Sequence, residues 1–266
     1  MIRLAVRVER EHAEPVLAEL LDLVPGGLEE RDVDSATVEY VLYGAAGELP
    51  ALPELRAMAG GALVDVSSSE LPDDWDERWR SFHAALDVGP LRIRPPWEPA
   101  RPGALDVVID PGQAFGTGAH PTTRLTLELL AELEPAGALA DWGCGSGVLA
   151  IAAAKLGWAP VLGCDHDPAA VAATRAGAAA NGVEVDVTRC DLRVAPGPYA
   201  PTVLANLVRR LLLELADHLG PVPDRLIASG LYAEEVADVA AAFGRHGLRE
   251  ARRREGGGWA SVEFVR

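Results

Sequence analysis

The sequence predicts an α/β protein. An open, mostly parallel sheet carries helices on both faces and is preceded by a small ferredoxin-like α+β domain. Three observations point to this. From residue 105 onward, short apolar runs alternate with segments of helical period. The first seventy residues instead follow the order β-α-β-β-α-β. Charge also changes between the two regions. Residues 1–75 hold 16 acids and 5 bases, a net of −11, whereas residues 76–266 hold 24 acids and 19 bases, a net of −5.

In the first region, residues 2–8 alternate as a strand does. Residues 15–24 place Val16, Leu17, Leu20, Leu21 and Val24 at helical spacing, and Pro25-Gly26-Gly27 stops the helix. Residues 27–33 and 36–43 read as two strands joined at Asp34-Ser35. A short helix over 53–59 is closed by Gly60-Gly61, and 62–67 forms the last strand. This gives a domain at 1–70 and a linking segment at 71–104. In that segment 73–83 puts Trp75, Trp79 and Phe82 on one helical face, and the proline-rich 92–103 reads as extended chain and loop. A second domain fills 105–266. Its strands are expected at 105–109, 138–142, 161–164, 183–187, 202–205, 225–229, 248–253 and 259–265. Its helices are expected at 121–133, 148–156, 168–180, 207–218 and 234–244.

Composition removes several classes of function. Of the 266 residues, 49% are hydrophobic and 24% charged, which provides a core and excludes a wholly disordered chain. The net charge of −16 repels phosphate backbones, so no nucleic-acid partner is expected. The single lysine, Lys155, is followed by Leu156, which excludes a Walker-type phosphate loop. Cys144, Cys164 and Cys190 form no C-x-x-C pair, so neither a disulfide framework nor a metal site is expected. The start lacks the apolar core of a signal peptide, and no apolar stretch reaches 18 residues. A cytoplasmic monomer without a membrane partner is the expectation.

The chemistry concentrates in residues 138–155, ALADWGCGSGVLAIAAAK, where a strand enters a glycine turn and leaves as a helix. Glycines at 143, 145 and 147 let the backbone bend tightly and a ligand lie against it. The dinucleotide fingerprint G-x-G-x-x-G fails at Val148, which disfavours a nicotinamide cofactor. The nucleophile elbow G-x-S-x-G fails at Cys144. Gly143 and Gly145 are the candidate cofactor-binding glycines. Asp165 ends the next strand, 20 residues beyond Gly145, where a carboxylate can accept hydrogen bonds from both ribose hydroxyls. Helix capping suits Asp167 better. Asp191 follows the third strand, either as an adenine contact or as a plain loop acid.

Upstream, IDPGQAFGTGAHPTTRL (109–125) is a second glycine-rich loop that runs into a helix start. His120, Thr122 and Thr123 lie there beside the anticipated pocket. The threonines are either cofactor contacts, as on Thr123, or a helix cap by Thr122 or Thr123. Downstream, Asn206 ends the fourth strand in TVLANLVRRLLLEL. Its amide oxygen could accept a hydrogen bond from an amine, or its side chain could cap the next helix.

The G-x-G-x-G turn resembles the glycine loop of class I S-adenosylmethionine methyltransferases. PGQAFGTGAHPTT, DWGCGSGVLAIAAAKLG, GCDHDP and ANL, in this order, resemble the PrmA family, the ribosomal protein L-eleven methyltransferases. DDWDERWRSFH and the following PPW match as well. The likeness covers about residues 70–266 and is weaker ahead of them. It implies a Rossmann-like catalytic domain behind a substrate-recognition domain and a helical linker. It also implies S-adenosylmethionine as methyl donor, with lysine ε-amines and the N-terminal α-amine of ribosomal protein L-eleven as acceptors. Matched residue by residue, the cofactor contacts fall on Thr123, Gly143, Asp165 and Asn206. Separately from that match, Asn206 is the residue expected to orient the amine. Val208-Arg209-Arg210 is bulkier and more basic than the family pattern. The surplus of acids in the first domain suits a basic substrate protein or a merely solvated face. Other readings are methylation of a different protein lysine or small amine, and a non-catalytic S-adenosylmethionine-binding module.

Overall fold

The computed structural model describes residues 2–23, 28–44, 49–50, 55, 60–70, 84–110 and 120–266. The chain divides into two compact units, Met1–Phe82 and His83–Arg266.

In the first unit, β1 (Ile2–Glu9) leads through a short 3-10 turn into α1 (Ala13–Leu23). Strands β2 (Glu29–Asp32), β3 (Thr37–Gly44) and β4 (Leu63–Glu70) follow. All pairs are antiparallel in the order β2-β3-β1-β4, that of a ferredoxin-like sandwich. The two-residue period turns Leu4, Val6 and Val8 of β1 and Val38, Tyr40 and Leu42 of β3 to the buried side, and α1 adds Val16, Leu17 and Leu20. The Tyr40 hydroxyl donates to the Ala13 carbonyl at 2.9 Å and ties sheet to helix. On the opposite side, Glu39 accepts from Arg3 at 2.7 Å and Arg7 at 2.9 Å. The expected helix at 53–59 lies outside the described residues apart from Leu55, which is helical and buried. The expected helix at 73–83 lies outside them entirely.

The second unit opens with a three-stranded sheet of β5 (Leu86–Val88), β6 (Leu91–Arg94) and β7 (Leu105–Val108). Here the reading of 92–103 needs correction, because Leu91–Arg94 is a strand paired on both sides. Its alternating Leu91 and Ile93 are buried in the core with α2 and α3, and the proline-rich stretch begins only at Pro95. The apolar strand at 105–108 belongs to this small sheet and not to the main one.

Next come α2 (Pro121–Ala131), β8 (Leu139–Trp142), α3 (Val148–Leu156), β9 (Val161–Asp165), α4 (Pro168–Asn181) and β10 (Asp186–Arg189). The chain ends with β11 (Thr202–Asn206), α5 (Arg209–Asp217), β12 (Arg225–Tyr232), α6 (Val236–Gly244), β13 (Arg249–Gly256) and β14 (Trp259–Val265). The sheet order is β10-β9-β8-β11-β12-β14-β13, parallel up to β12 and closed by the antiparallel β13–β14 hairpin. The tenth strand starts later than its apolar run. Val183 and Val185 are partly buried against the core but precede the ladder, so alternation alone set the boundary too early.

Helices cover both faces. On one, Leu212, Leu215, Val236 and Phe243 of α5 and α6 pack with Ala140, Val203 and Ala228. On the other, Leu127, Leu130, Leu149 and Ile151 of α2 and α3 pack with Leu139, Leu204 and Ile227 and with the small sheet. No helix among the described residues is long and apolar enough to cross a membrane. The order reverses between β8 and β11. A crevice at the carboxyl ends of such strands is where open α/β sheets bind ligands.

Candidate active site

The glycine turn leaves β8 directly at that reversal. Gly143 adopts φ +76°, a left-handed conformation that favours glycine, and a Cβ built on it would lie 2.3 Å from Leu207 Cδ2, so the Leu207 side chain covers this glycine. The Gly143 and Cys144 amides both donate to the Cys164 carbonyl, at 2.8 and 3.0 Å, which welds the turn to the end of β9. Asp165 completes this junction. Its Oδ2 accepts from the Gly145 amide at 3.0 Å and its Oδ1 from the Asp167 amide at 3.0 Å. Each oxygen has further lone pairs, so the carboxylate is fixed in place with acceptor capacity to spare. Its exposure is 8%. Asp167 caps α4 through the Ala169 amide at 2.8 Å, as expected of it.

Asp141 was not singled out from the sequence, yet it is the most perturbed acid at the turn. It is 1% exposed, and burial pushes its carboxyl up to about 7. The Ala150 amide, donating to Oδ2 at 3.1 Å, opposes the rise, and the neighbouring Asp165 adds to it. Its Oδ1 is buried and meets no hydrogen-bond partner among the described residues. Such an orphaned acceptor is costly and suits a site that receives a donor from a ligand. The available signal was an acid two residues ahead of a glycine turn.

Across the reversal, the structure brings Asn206 and Thr123 together. Asn206 ends β11, Thr123 sits fully buried in the first turn of α2, and the Asn206 amide donates to Thr123 Oγ1 at 3.3 Å. The helix is capped by neither threonine. His120 is its N-cap, with Nδ1 2.7 Å from Thr122 Oγ1 and 3.4 Å from the Thr122 amide. Burial pushes His120 down to about 4, so it is neutral at pH 7. Its ring meets Trp259 edge-on at 4.9 Å, and Trp259 stacks on Tyr232 at 4.2 Å. The α2 start is locked down further, since Ser229 and Thr126 donate to the Thr122 carbonyl at 3.3 and 2.9 Å. Residues 111–119 of the upstream loop lie outside the described residues.

Asp191 follows β10, and the adjacent Cys190 amide donates to the Asp165 carbonyl at 2.9 Å. The Arg193 side chain, with Nε at 2.9 Å, and the Arg193 amide hold the Asp191 carboxyl below its usual range. A further residue invisible in the sequence is Gly230, at φ +84° where β12 bulges against β14. A Cβ there would lie 2.3 Å from the Leu207 carbonyl oxygen, so Gly230 sets the path of the chain just after Asn206.

The model of the ribosomal protein L11 methyltransferase (PrmA) family matches residues 52–266. The chain belongs to the ribosomal protein L11 methyltransferase family. Among its relatives, the ribosomal protein L11 methyltransferase of Geobacter sulfurreducens is 38% identical over 90% of this chain and 84% of the relative. That of Myxococcus xanthus is 34% identical over all of this chain and 98% of the relative. The crystal structure of the ribosomal protein L11 methylase from Lactobacillus delbrueckii subsp. bulgaricus is 28% identical. It covers 66% of this chain and 93% of its own, with a TM-score of 0.59. The L11 methyltransferase family uses S-adenosylmethionine as methyl donor, and the fold is the class I Rossmann-like one of that superfamily. The residues present fit this cofactor. Asp165 offers fixed acceptors at the end of β9, and Asp141 keeps a buried acceptor unmatched.

Proposed function

We propose that this chain methylates the lysine ε-amines and the N-terminal α-amine of ribosomal protein L11. The observation that carries the amine reading is the Asn206–Thr123 hydrogen bond. It uses the amide's donor and leaves the Asn206 carbonyl oxygen as the group that can accept from an incoming amine. In this reading Asp165 holds the ribose, Gly143 and Gly145 admit the ligand to the backbone, and Thr123 and Asn206 flank the methionyl part. Asp191 meets the adenine amino group. Bound in this cradle, S-adenosylmethionine supplies a methyl group on a cationic sulfur.

The chain's own residues prepare the acceptor. A free lysine has pKa about 10.4, so shedding its proton at pH 7 costs about 4.6 kcal/mol. Burial lowers that cost by disfavouring the ammonium. In this reading the neutral His120 and the Trp259 ring it meets, at the start of α2, contribute to that desolvation. The proton leaves to solvent as the amine enters, and Asn206 then orients the lone pair. No separate base is invoked, because positioning supplies most of what an already activated methyl needs.

The test is a split between binding and turnover. Asn206→Ala should lower kcat by roughly 10- to 100-fold, the value of one hydrogen bond to a reacting group, and change the Kd for S-adenosylmethionine far less. Asp165→Ala should abolish measurable cofactor binding by calorimetry. Full turnover in Asn206→Ala beside lost binding in Asp165→Ala would remove Asn206 from the reaction. The first unit, with its net of −11 over residues 1–75, is the substrate-recognition domain in this reading.

A further inference from the structure

Sheet edges expose unpaired backbone amides and carbonyls, and proteins blunt them with short strands, charges, prolines or covering groups. Nearly every edge among the described residues follows this rule. β2 has four residues, all charged (Glu29, Glu30, Arg31, Asp32). β5 has three residues. The edge of β7 is closed by Asn181, whose Oδ1 accepts from the Val108 amide and whose Nδ2 donates to the Val108 carbonyl, both at 2.8 Å. β10 has four residues, and Arg175 donates to its Val187 carbonyl. β13 is eight residues long, bulged, and carries four arginines and two glutamates.

β4 breaks the rule. It is an edge strand of eight residues, LVDVSSSE, with no lysine, arginine or proline. It pairs with β1 on one side and with no strand among the described residues on the other. Ser67, Ser68 and Ser69 are exposed, and Val64 is 53% exposed, among the most exposed large apolar side chains of the described residues.

We propose that β4 binds an extended, net-basic segment of the substrate protein as a fifth strand of this sheet. The inference rests on the proposed function. Main-chain hydrogen bonds of such an added strand supply affinity, and side chains at alternate positions supply selectivity. Charge chooses the occupant. A second copy pairing β4 with β4 would bring together two regions of net −11. A protein built to sit against ribosomal RNA carries the opposite charge. The charged residues in the sequence of this strand, Asp65 and Glu70, are both acids, a composition that suits a basic partner.

The test is amide hydrogen exchange of the full chain, alone and with an excess of purified L11, alongside a methyl-transfer assay on the same samples. The expected result is slower exchange over residues 63–70 when L11 is present, with β2 unchanged. The double variant Val64→Lys/Ser68→Lys, which adds the missing edge charges, should raise KM for L11 about tenfold, a loss of about 1.4 kcal/mol. Its kcat and cofactor affinity should not change. Methyl transfer to L11 with unaltered exchange over 63–70 overturns the edge assignment and leaves the proposed function standing. Neither transfer nor protection removes both. Protection that grows with protein concentration in the absence of L11, with a doubled mass by light scattering, assigns the edge to a second copy and overturns the proposal.

Discussion

Replacing Gly230 by alanine tests how the fold holds Asn206 in place. Gly230 and Gly258 share φ +84°, but a Cβ at Gly258 meets nothing within 4 Å, whereas one at Gly230 lies 2.3 Å from Leu207 O and 2.7 Å from Leu207 C. Left-handed backbone costs an alanine about 1–2 kcal/mol at either site. At Gly230 the Leu207 peptide must also retreat by roughly 1 Å to restore ordinary contact, an overpacking cost of about 1–3 kcal/mol. For a unit of this size, each kcal/mol lowers Tm by about 2–4 °C. Gly230→Ala should therefore melt about 2–12 °C below Gly258→Ala. Leu207 directly follows Asn206 and covers Gly143, so the same displacement misplaces the amide. A shift of that size can cost about 100-fold in kcat. The assay is thermal unfolding of both variants with kcat for methyl transfer to L11. Equal melting temperatures and an undiminished kcat in Gly230→Ala would refute the claim that this backbone contact positions Asn206.

Two further outcomes follow from buried polar groups. Burial raises Asp141 from its unfolded value to about 7, so the folded state holds a proton there that the unfolded state has released. The stability this gives is fully present below about pH 4 and is lost as pH rises through 7. Asp141→Asn, which cannot ionise, should thus melt higher than the parent at pH 8, with the gain shrinking toward pH 4.5. A gain independent of pH would contradict the assignment. Asn181→Ala removes three hydrogen bonds, two to Val108 and one to the Gly177 carbonyl, and leaves the half-buried Val108 amide without its partner. It should cost about 2–4 kcal/mol in a denaturant titration. A loss below 0.5 kcal/mol would mean that the β7 edge is closed by something else.

What the sequence made legible was whatever depends on neighbours along the chain. The glycine turn, Asp165 at its strand end, Asp167 as a cap and the β-α alternation all follow from local rules, and all stand where those rules put them. Strand limits were less legible. Val183 and Val185 continue the alternation ahead of their ladder, and Leu91–Arg94 forms a strand beside prolines, because hydrogen-bonding partners and not hydropathy decide where a strand begins. Least legible were contacts made across the sheet. Gly230 matters only because β11 lies beside β12, and His120, not a threonine, caps α2 because its ring folds back onto Thr122. Asp141 carried a weak signal, since nothing in the sequence showed that Ala150 would satisfy one oxygen and leave the other bare.

The most direct measurement is to incubate the purified chain with methyl-labelled S-adenosylmethionine and unmodified L11, then map the added mass by peptide mass spectrometry. The account predicts added methyl groups on lysine side chains and on the N-terminal amine. Calorimetric binding of S-adenosylmethionine without any transfer to those amines would contradict it.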